Sequence, residues 1–389
     1  MKSSASTWLK FGLFTVGLGQ SFVFVIVPPL ARDLGLSEIQ ASLVFAFSAI
    51  AWALTSAAWG RASDKYGRRN IAILGLIGYS ASLLAMIIPL FLVEKNLLDI
   101  VFLFPLLVFG RMLNGLIGSA TRPATFAYIA DTSNRDKRTL KFARLESSFL
   151  VGTVAGPLIG GFLILITKET PFYVFSMLAL IASIGIYKNV DNTARDKKSV
   201  LHSEKISWKS NTVWPFLLLA SISSLCLASL IQTIGFYLFD VFPNIDDLPI
   251  LISMTFALLS ISTIVSQYLF TDAFPLSNNK LLLFSYLTMA LFPMISIYYL
   301  SIIINGIGGG MLRPAISSSL SLSQTPEHQG IAAGYLGSVY PVGHILTPVL
   351  AMPIYAINPS YLYYFSSMLC LICFIFIISN PIFRKEIRI

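Results

Sequence analysis

The chain has 389 residues, 56% of them hydrophobic and 12% charged, with a mean hydropathy of +0.77. A soluble domain carries about 25% charged residues, so a water-covered globule is excluded and an integral membrane protein is implied. The formal charge of +9 does not point to nucleic acid, because the basic residues lie between apolar runs, where they set topology. No segment alternates apolar and polar residues over about ten positions, which argues against an outer-membrane barrel.

A spanning helix needs roughly 20 mainly apolar residues. In chain order the apolar runs predict twelve: Leu9–Leu30, Gln40–Trp59, Ile71–Val93, Ile100–Ala130, Phe142–Ile166, Pro171–Tyr187, Trp214–Leu238, Pro249–Leu269, Leu281–Tyr298, Tyr299–Ser321, Gly330–Tyr355 and Tyr361–Phe383. The ninth and tenth are so closely joined that nothing polar marks the boundary. The first follows Lys2 and Lys10 without a small-residue cleavage site and is expected to be a retained span. With both termini inside, Arg32, Lys95 and Lys168 fall in outer loops and Arg111, Arg122 and Arg313 within spans. The remaining Lys and Arg residues all face the cytoplasm, as the positive-inside rule requires. Cys226, Cys370 and Cys373 lie in apolar runs without a metal-binding or disulfide pattern and read as packing residues.

The polar stretch Lys188–Asn211 separates six spans from six. The expected domains are a six-helix bundle over 1–187, a cytoplasmic linker over 188–211 and a second bundle over 212–389. A shift of 191 positions pairs Gly115 with Gly306, Gly118 with Gly309 and Arg122-Pro123-Ala124 with Arg313-Pro314-Ala315. It also pairs Val151-Gly152 with Val342-Gly343 and Pro157 with Pro348. The fourth and tenth spans, and the fifth and eleventh, thus read as copies. Two repeated bundles in one orientation are the plan of secondary transporters with a midplane site.

The loop Gly60-Arg61-Ala62-Ser63-Asp64-Lys65-Tyr66-Gly67-Arg68-Arg69 resembles the signature loop of the major facilitator superfamily. The resemblance implies an all-α fold of two pseudo-symmetric six-helix bundles and a gating latch of Gly60, Asp64, Gly67, Arg68 and Asp131. In it Arg68 bridges Asp64 and Asp131 and holds the cytoplasmic side shut in the outward-open state. The glycines would allow a tight turn, and Asp64 would lie near a helix N-terminus, where the dipole favours an acid. The second-half equivalent, around Asp272, is eroded, with Pro275 in place of the glycine. Arg111-Met112-Leu113-Asn114-Gly115-Leu116-Ile117-Gly118 resembles the family motif whose arginine is linked to proton coupling. Gly152, Gly156, Pro157, Gly160 and Gly161 resemble the antiporter motif, which is associated with exporters. Pro157 would bend its helix, and the glycines would let another span press close. Pro28-Pro29 in the first span loosely resembles a further family element. The subgroup resembled is the twelve-span drug:proton antiporter, tetracycline-exporter-like.

One departure concerns the first span, where that subgroup carries an acid. Here Gln20 lies in that neighbourhood, with Gln232 in a comparable place in the seventh span, so no acid marks a site for a cationic drug. The candidates for proton coupling are Arg111, Glu146, Asp240 and His344, since an intramembrane ionisable group is a functional candidate by default. Arg122 lies nine residues before Asp131, roughly 13 Å into the membrane at 1.5 Å per residue. With Arg313 at the matching place, two guanidiniums converging on one cavity would hold a carboxylate or phosphate by forked hydrogen bonds. The alternative is that each pairs internally, Glu146 being available to one of them. Gln20, Gln232 and Asn114 would add hydrogen bonds, and Tyr237 would flank the solute.

The sequence thus predicts a monomeric, proton-coupled secondary transporter of a bacterial inner membrane that works by alternating access. It would export a small anionic organic solute, such as a carboxylate-type siderophore or organic acid. A multidrug or tetracycline-type efflux pump is the alternative, and a lipid-handling protein or a non-transporting receptor a further one. No enzyme, cofactor, metal or nucleic-acid partner is expected. Neither a nucleotide-binding loop nor a Ser/His/Asp set is present.

Overall fold

The computed structural model describes residues 3–132, 135–192, 207–243, 248–269, 279–292, 294–324 and 329–384. All regular structure among them is helical. This is what a lipid environment demands, because a helix satisfies its backbone groups within the segment. The chain divides into two compact units, Met1–Ser199 and Val200–Ile389.

The first unit contains α1 (Ser3–Asp33), α2 (Glu38–Tyr66), α3 (Arg68–Glu94), α4 (Leu103–Leu116), α5 (Thr121–Thr132), α6 (Arg135–Ile164) and α7 (Thr170–Asn189). A 3₁₀ turn, Gly118–Ala120, joins α4 to α5, and the pair reads as one membrane-length helix over Ile100–Thr132. Helix α2 starts at a capping box, in which Ser37 and Gln40 satisfy each other's backbone N–H. Pro28 and Pro29 are accommodated inside α1, in its last turns.

The second unit contains α8 (Trp214–Val241), α9 (Leu248–Leu269), α10 (Asn279–Leu291), α11 (Ile295–Leu322) and α12 (Gln329–Leu346). A π-helical turn, Thr347–Ala351, leads into α13 (Met352–Ile357), followed by α14 (Pro359–Ser379) and α15 (Pro381–Arg384). The π turn opens at Thr347-Pro348, and proline lacks the N–H an α-helical turn would use.

The two units share one packing plan. In the first, α1 packs on α6, α2 on α4 and α3 on α7. In the second, α8 packs on α12, α9 on α11 and α10 on α14. Close approach falls at matched glycines. Gly115 of α4 abuts the Ser48 carbonyl of α2, while its counterpart Gly306 abuts the Leu259 carbonyl of α9. Gly152 of α6 abuts the Phe14 carbonyl of α1, and Gly343 of α12 that of Ser224 on α8. Small residues are what allow helix backbones to meet in lipid, where no hydrophobic gain drives association.

Among the described residues eleven helices are long and apolar enough to cross a membrane, and α10 is a shorter apolar helix. The expected boundary between the ninth and tenth spans, Tyr298/Tyr299, is displaced. The helix ends at Leu291 and the next begins at Ile295, with Pro293 in the interval. Tyr298 and Tyr299 therefore belong to the start of α11. The expected linker Lys188–Asn211 is described at its ends alone, since 193–206 lie outside the described residues. So does the Asp272–Pro275 segment.

Tyr237, expected to flank a solute, is fully enclosed in the core of the second unit. Its ring stacks on Tyr298 with centroids 5.1 Å apart and meets Tyr363 edge-on at 4.8 Å. Its hydroxyl donates to the Met289 carbonyl at 3.2 Å. The three cysteines are buried and form no disulfide.

Candidate functional site

The turn between α2 and α3 is built by Gly67, whose φ of +92° lies where side-chain-bearing residues are strained. A Cβ there would also collide with the Asn192 side chain. Gly60, by contrast, is helical and has nothing within 4 Å of where a Cβ would be, so the turn needs one of the two motif glycines. Arg68 follows Gly67 and is 4% exposed. Its guanidinium pairs with Asp64, and its Nε donates to Asp131 Oδ2 at 3.0 Å. Its Nη1 donates to Ser63 Oγ at 2.6 Å, and the Ser63 hydroxyl in turn donates a hydrogen bond to the Gly60 carbonyl at 2.7 Å. One fork thus ties the ends of α2, α3 and α5 together, as a planar five-donor guanidinium can. Asp64 lies in the last turn of α2 rather than at a helix N-terminus, so Arg68 rather than a helix dipole meets its charge. Ser63 and Asn192 were not anticipated. Ser63 stands inside the signature loop at a variable position, and Asn192 reaches it from beyond α7.

Along α6, Gly152, Gly156 and Gly160 recur every four residues and so line one helix face. They press against Phe14, Leu18 and Phe22 of α1, which recur at the same spacing. Gly17 of α1 is in turn pressed against the Phe149 carbonyl. Pro157 lies inside α6 beside this seam, and Gly161 is half-buried.

The three intramembrane arginines have three different environments. Arg111 of α4 is 2% exposed, and its Nε and Nη1 have no hydrogen-bond partner. The rings of Phe24 and Phe45, at 5.7 and 5.8 Å, face its guanidinium, and such contacts recover part of the desolvation cost. Tyr79 lies within electrostatic reach. Its hydroxyl and Asn114 Oδ1, both beside Gly118 or Gly19, are buried without partners as well. Arg111 and Asn114, expected in separate roles, are thus both buried polar residues of α4.

Arg122 of α5 pairs with Glu146 of α6 and lies over the rings of Phe126 and Phe149, at 5.6 and 5.2 Å. Arg313 of α11 is exposed and lies 4.4 Å from the centre of the Tyr340 ring on α12. No carboxylate among the described residues pairs with it. The expectation of two equivalent, ligand-seeking arginines therefore meets an asymmetry, because Arg122 already has an acid.

Gln232 of α8 is buried, and its Nε2 lies 3.1 Å from His344 Nδ1 on α12. Ser229 and Thr347 continue the contact at 3.4 Å, one turn away on each helix. Asp240, at the end of α8, accepts a hydrogen bond of 2.7 Å from the Tyr355 hydroxyl on α13. Gln20 is half-buried in α1. Among the described residues no three His, Cys, Asp or Glu side chains gather as a metal site.

Comparison with known proteins fits this architecture. The chain is 26% identical over 365 residues to the quinolone resistance protein NorA of Staphylococcus aureus, covering 90% of this chain and 89% of that protein. It is 26% identical over 381 residues to multidrug resistance protein 1 of Bacillus subtilis, covering 94% of each. In fold it is similar to a bacterial homologue of the human lysosomal transporter Spinster in an inward-facing, occupied conformation. That match has a TM-score of 0.74 and 14% identity, and covers 100% of this chain and 97% of that one. It is likewise similar to a bacterial homologue of the iron transporter ferroportin, with a TM-score of 0.74 and 15% identity over 97% and 99% of the two chains. The Major Facilitator Superfamily model matches residues 9–298. With helices of this number, length and packing, the chain belongs to the Major Facilitator Superfamily and is a multi-pass membrane protein, a secondary transporter rather than an enzyme.

Proposed function

We propose that the chain is a drug-type efflux transporter that expels small, largely apolar organic compounds by alternating access, driven by the proton gradient. The observation that carries this reading is the seam between α6 and α1. Gly152, Gly156 and Gly160 meet Phe14, Leu18 and Phe22 without space for a methyl group, the close contact an exporter-associated motif is expected to make. The quinolone- and multidrug-resistance names of relatives aligned over nine-tenths of the chain support a drug-type substrate over a siderophore. So does the pairing of Arg122 with Glu146, which gives that guanidinium an acid of the chain's own in place of a solute's. The Arg68 fork is proposed as the latch that holds the cytoplasmic side shut, in a bacterial cytoplasmic membrane with both termini inside. For the proton, the Gln232–His344 contact and the Arg122–Glu146 pair are the candidates, since each sets a titratable group against a partner on a neighbouring span.

Dye retention tests the reading. Cells producing the chain should retain less of at least one cationic, zwitterionic or neutral aromatic dye than cells producing Arg68→Gln, and a protonophore should erase the difference. Equal retention across all three classes would overturn the efflux reading.

A further inference from the structure

The repeat carries the same arginine in two different states, and the difference outlines a site. A shift of 191 positions maps Arg122 onto Arg313, Phe149 onto Tyr340 and Glu146 onto Gly337. In the first unit Arg122 lies 5.2 Å from the Phe149 ring centre and pairs with Glu146. In the second, Arg313 lies 4.4 Å from the Tyr340 ring centre. Both copies therefore keep the cation–ring contact, and they differ in the acid. Glycine stands where the glutamate would be, and a Cβ at Gly337 would have nothing within 4 Å. Glu146 precedes Phe149 by three residues, and Gly337 precedes Tyr340 by three. Residues so spaced share a helix face, so the open face at Gly337 lies alongside the ring that holds Arg313.

A guanidinium in a membrane span is expensive. The first unit offsets that cost with its own carboxylate. In the second, an exposed guanidinium keeps its fork of N–H donors beside an open face, with no carboxylate among the described residues to meet it. Tyr340 is anchored from both sides. Its carbonyl accepts from Ser224 Oγ at 2.5 Å, and its hydroxyl lies 3.5 Å from Ser317 Oγ. The ring can thus hold one face of the guanidinium and leave the donor edge free.

We propose that Arg313, Tyr340 and the open face at Gly337 form a subsite for the carboxylate of an amphipathic organic solute. Glu146 is the fixed stand-in for that carboxylate in the first unit. This deepens the efflux reading by naming a substrate class, and rests on that reading for what becomes of the bound solute. Charge narrows the class further. The subsite offers a single guanidinium, Arg313, so it suits a monocarboxylate with an apolar body rather than a polycarboxylate.

The test is equilibrium binding of 1-naphthoate and of its neutral carboxamide to the full chain in lipid nanodiscs. A charge-assisted bond is worth about 1.5–3 kcal/mol, so wild type should bind the carboxylate tighter by roughly tenfold to a hundredfold. Gly337→Glu installs the first unit's acid and should abolish this preference, as should Arg313→Gln, with thermal unfolding used to verify that each variant folds. The proposal is overturned if wild type binds neither compound, if it does not distinguish them, or if Gly337→Glu keeps the preference. Binding with the preference intact but without export from cells would overturn the efflux reading and leave the subsite standing.

Discussion

Arg68 is 4% exposed, and its guanidinium is met by Asp64, Asp131 and Ser63. The two carboxylates remain 46% and 30% exposed, so water screens them and each bridge contributes about 1 kcal/mol rather than the larger value of a buried pair. Losing both shifts an equilibrium between conformers by roughly tenfold or more. Arg68→Gln should therefore slow export while the protein still inserts, and Arg68→Lys should recover part of the rate, because a point charge cannot serve three acceptors in a plane. Export rates normalised to the amount of membrane-inserted protein check this, and rates equal to wild type in both variants would remove the latch role. Gly67→Ala forces a side chain to φ +92° and against Asn192, which should cost about 1–3 kcal/mol, read as a lower unfolding midpoint in detergent. The fork was legible in the sequence because its residues belong to one short motif plus the acid that ends the fourth span. The fate of the other arginines was not. Arg122 and Glu146 are 24 residues apart, and apolar composition does not fix which face of a helix meets which neighbour. The burial of Tyr237 was hidden for the same reason, since an aromatic in a uniformly apolar span carries no signal of burial.

At the scale of helices, most spans were legible to within a turn or two, because an apolar run of membrane length has one stable arrangement in lipid. The boundary between α10 and α11 was displaced because the apolar run continues through it and no polar residue marks where one helix ends. The π turn Thr347–Ala351 was missed because Pro348 announces a disturbance without saying which kind. The seam between α1 and α6 was legible, since glycines four residues apart can have few other purposes in lipid. It yields a matched pair of predictions. Gly156→Ala should push the methyl against the Leu18 carbonyl and Ser21 Oγ and destabilise by about 1–3 kcal/mol, the usual cost of overpacking. Gly309→Ala meets nothing within 4 Å and should be neutral or stabilising by up to about 1 kcal/mol. Unfolding midpoints of the two variants, measured in the same detergent, compare them directly. A Gly156→Ala protein as stable as Gly309→Ala would mean that α1 and α6 are not in close contact.

For the whole molecule, the internal repeat was legible as a shift of 191 positions, and it survives as one packing plan in the two units. The substrate was not legible, because the two halves look alike in sequence where they differ in chemistry. Arg122 and Arg313 are equivalent in the repeat, yet one is neutralised by Glu146 and the other is not. We propose that this secondary transporter exports organic solutes against a gradient using protons. The most direct test is accumulation of a fluorescent aromatic amphiphile by everted membrane vesicles under an imposed proton gradient, acid inside. The account predicts uptake that depends on the chain, collapses with a protonophore and is reduced roughly tenfold in Arg68→Gln. Uptake identical in vesicles with and without the chain would contradict it.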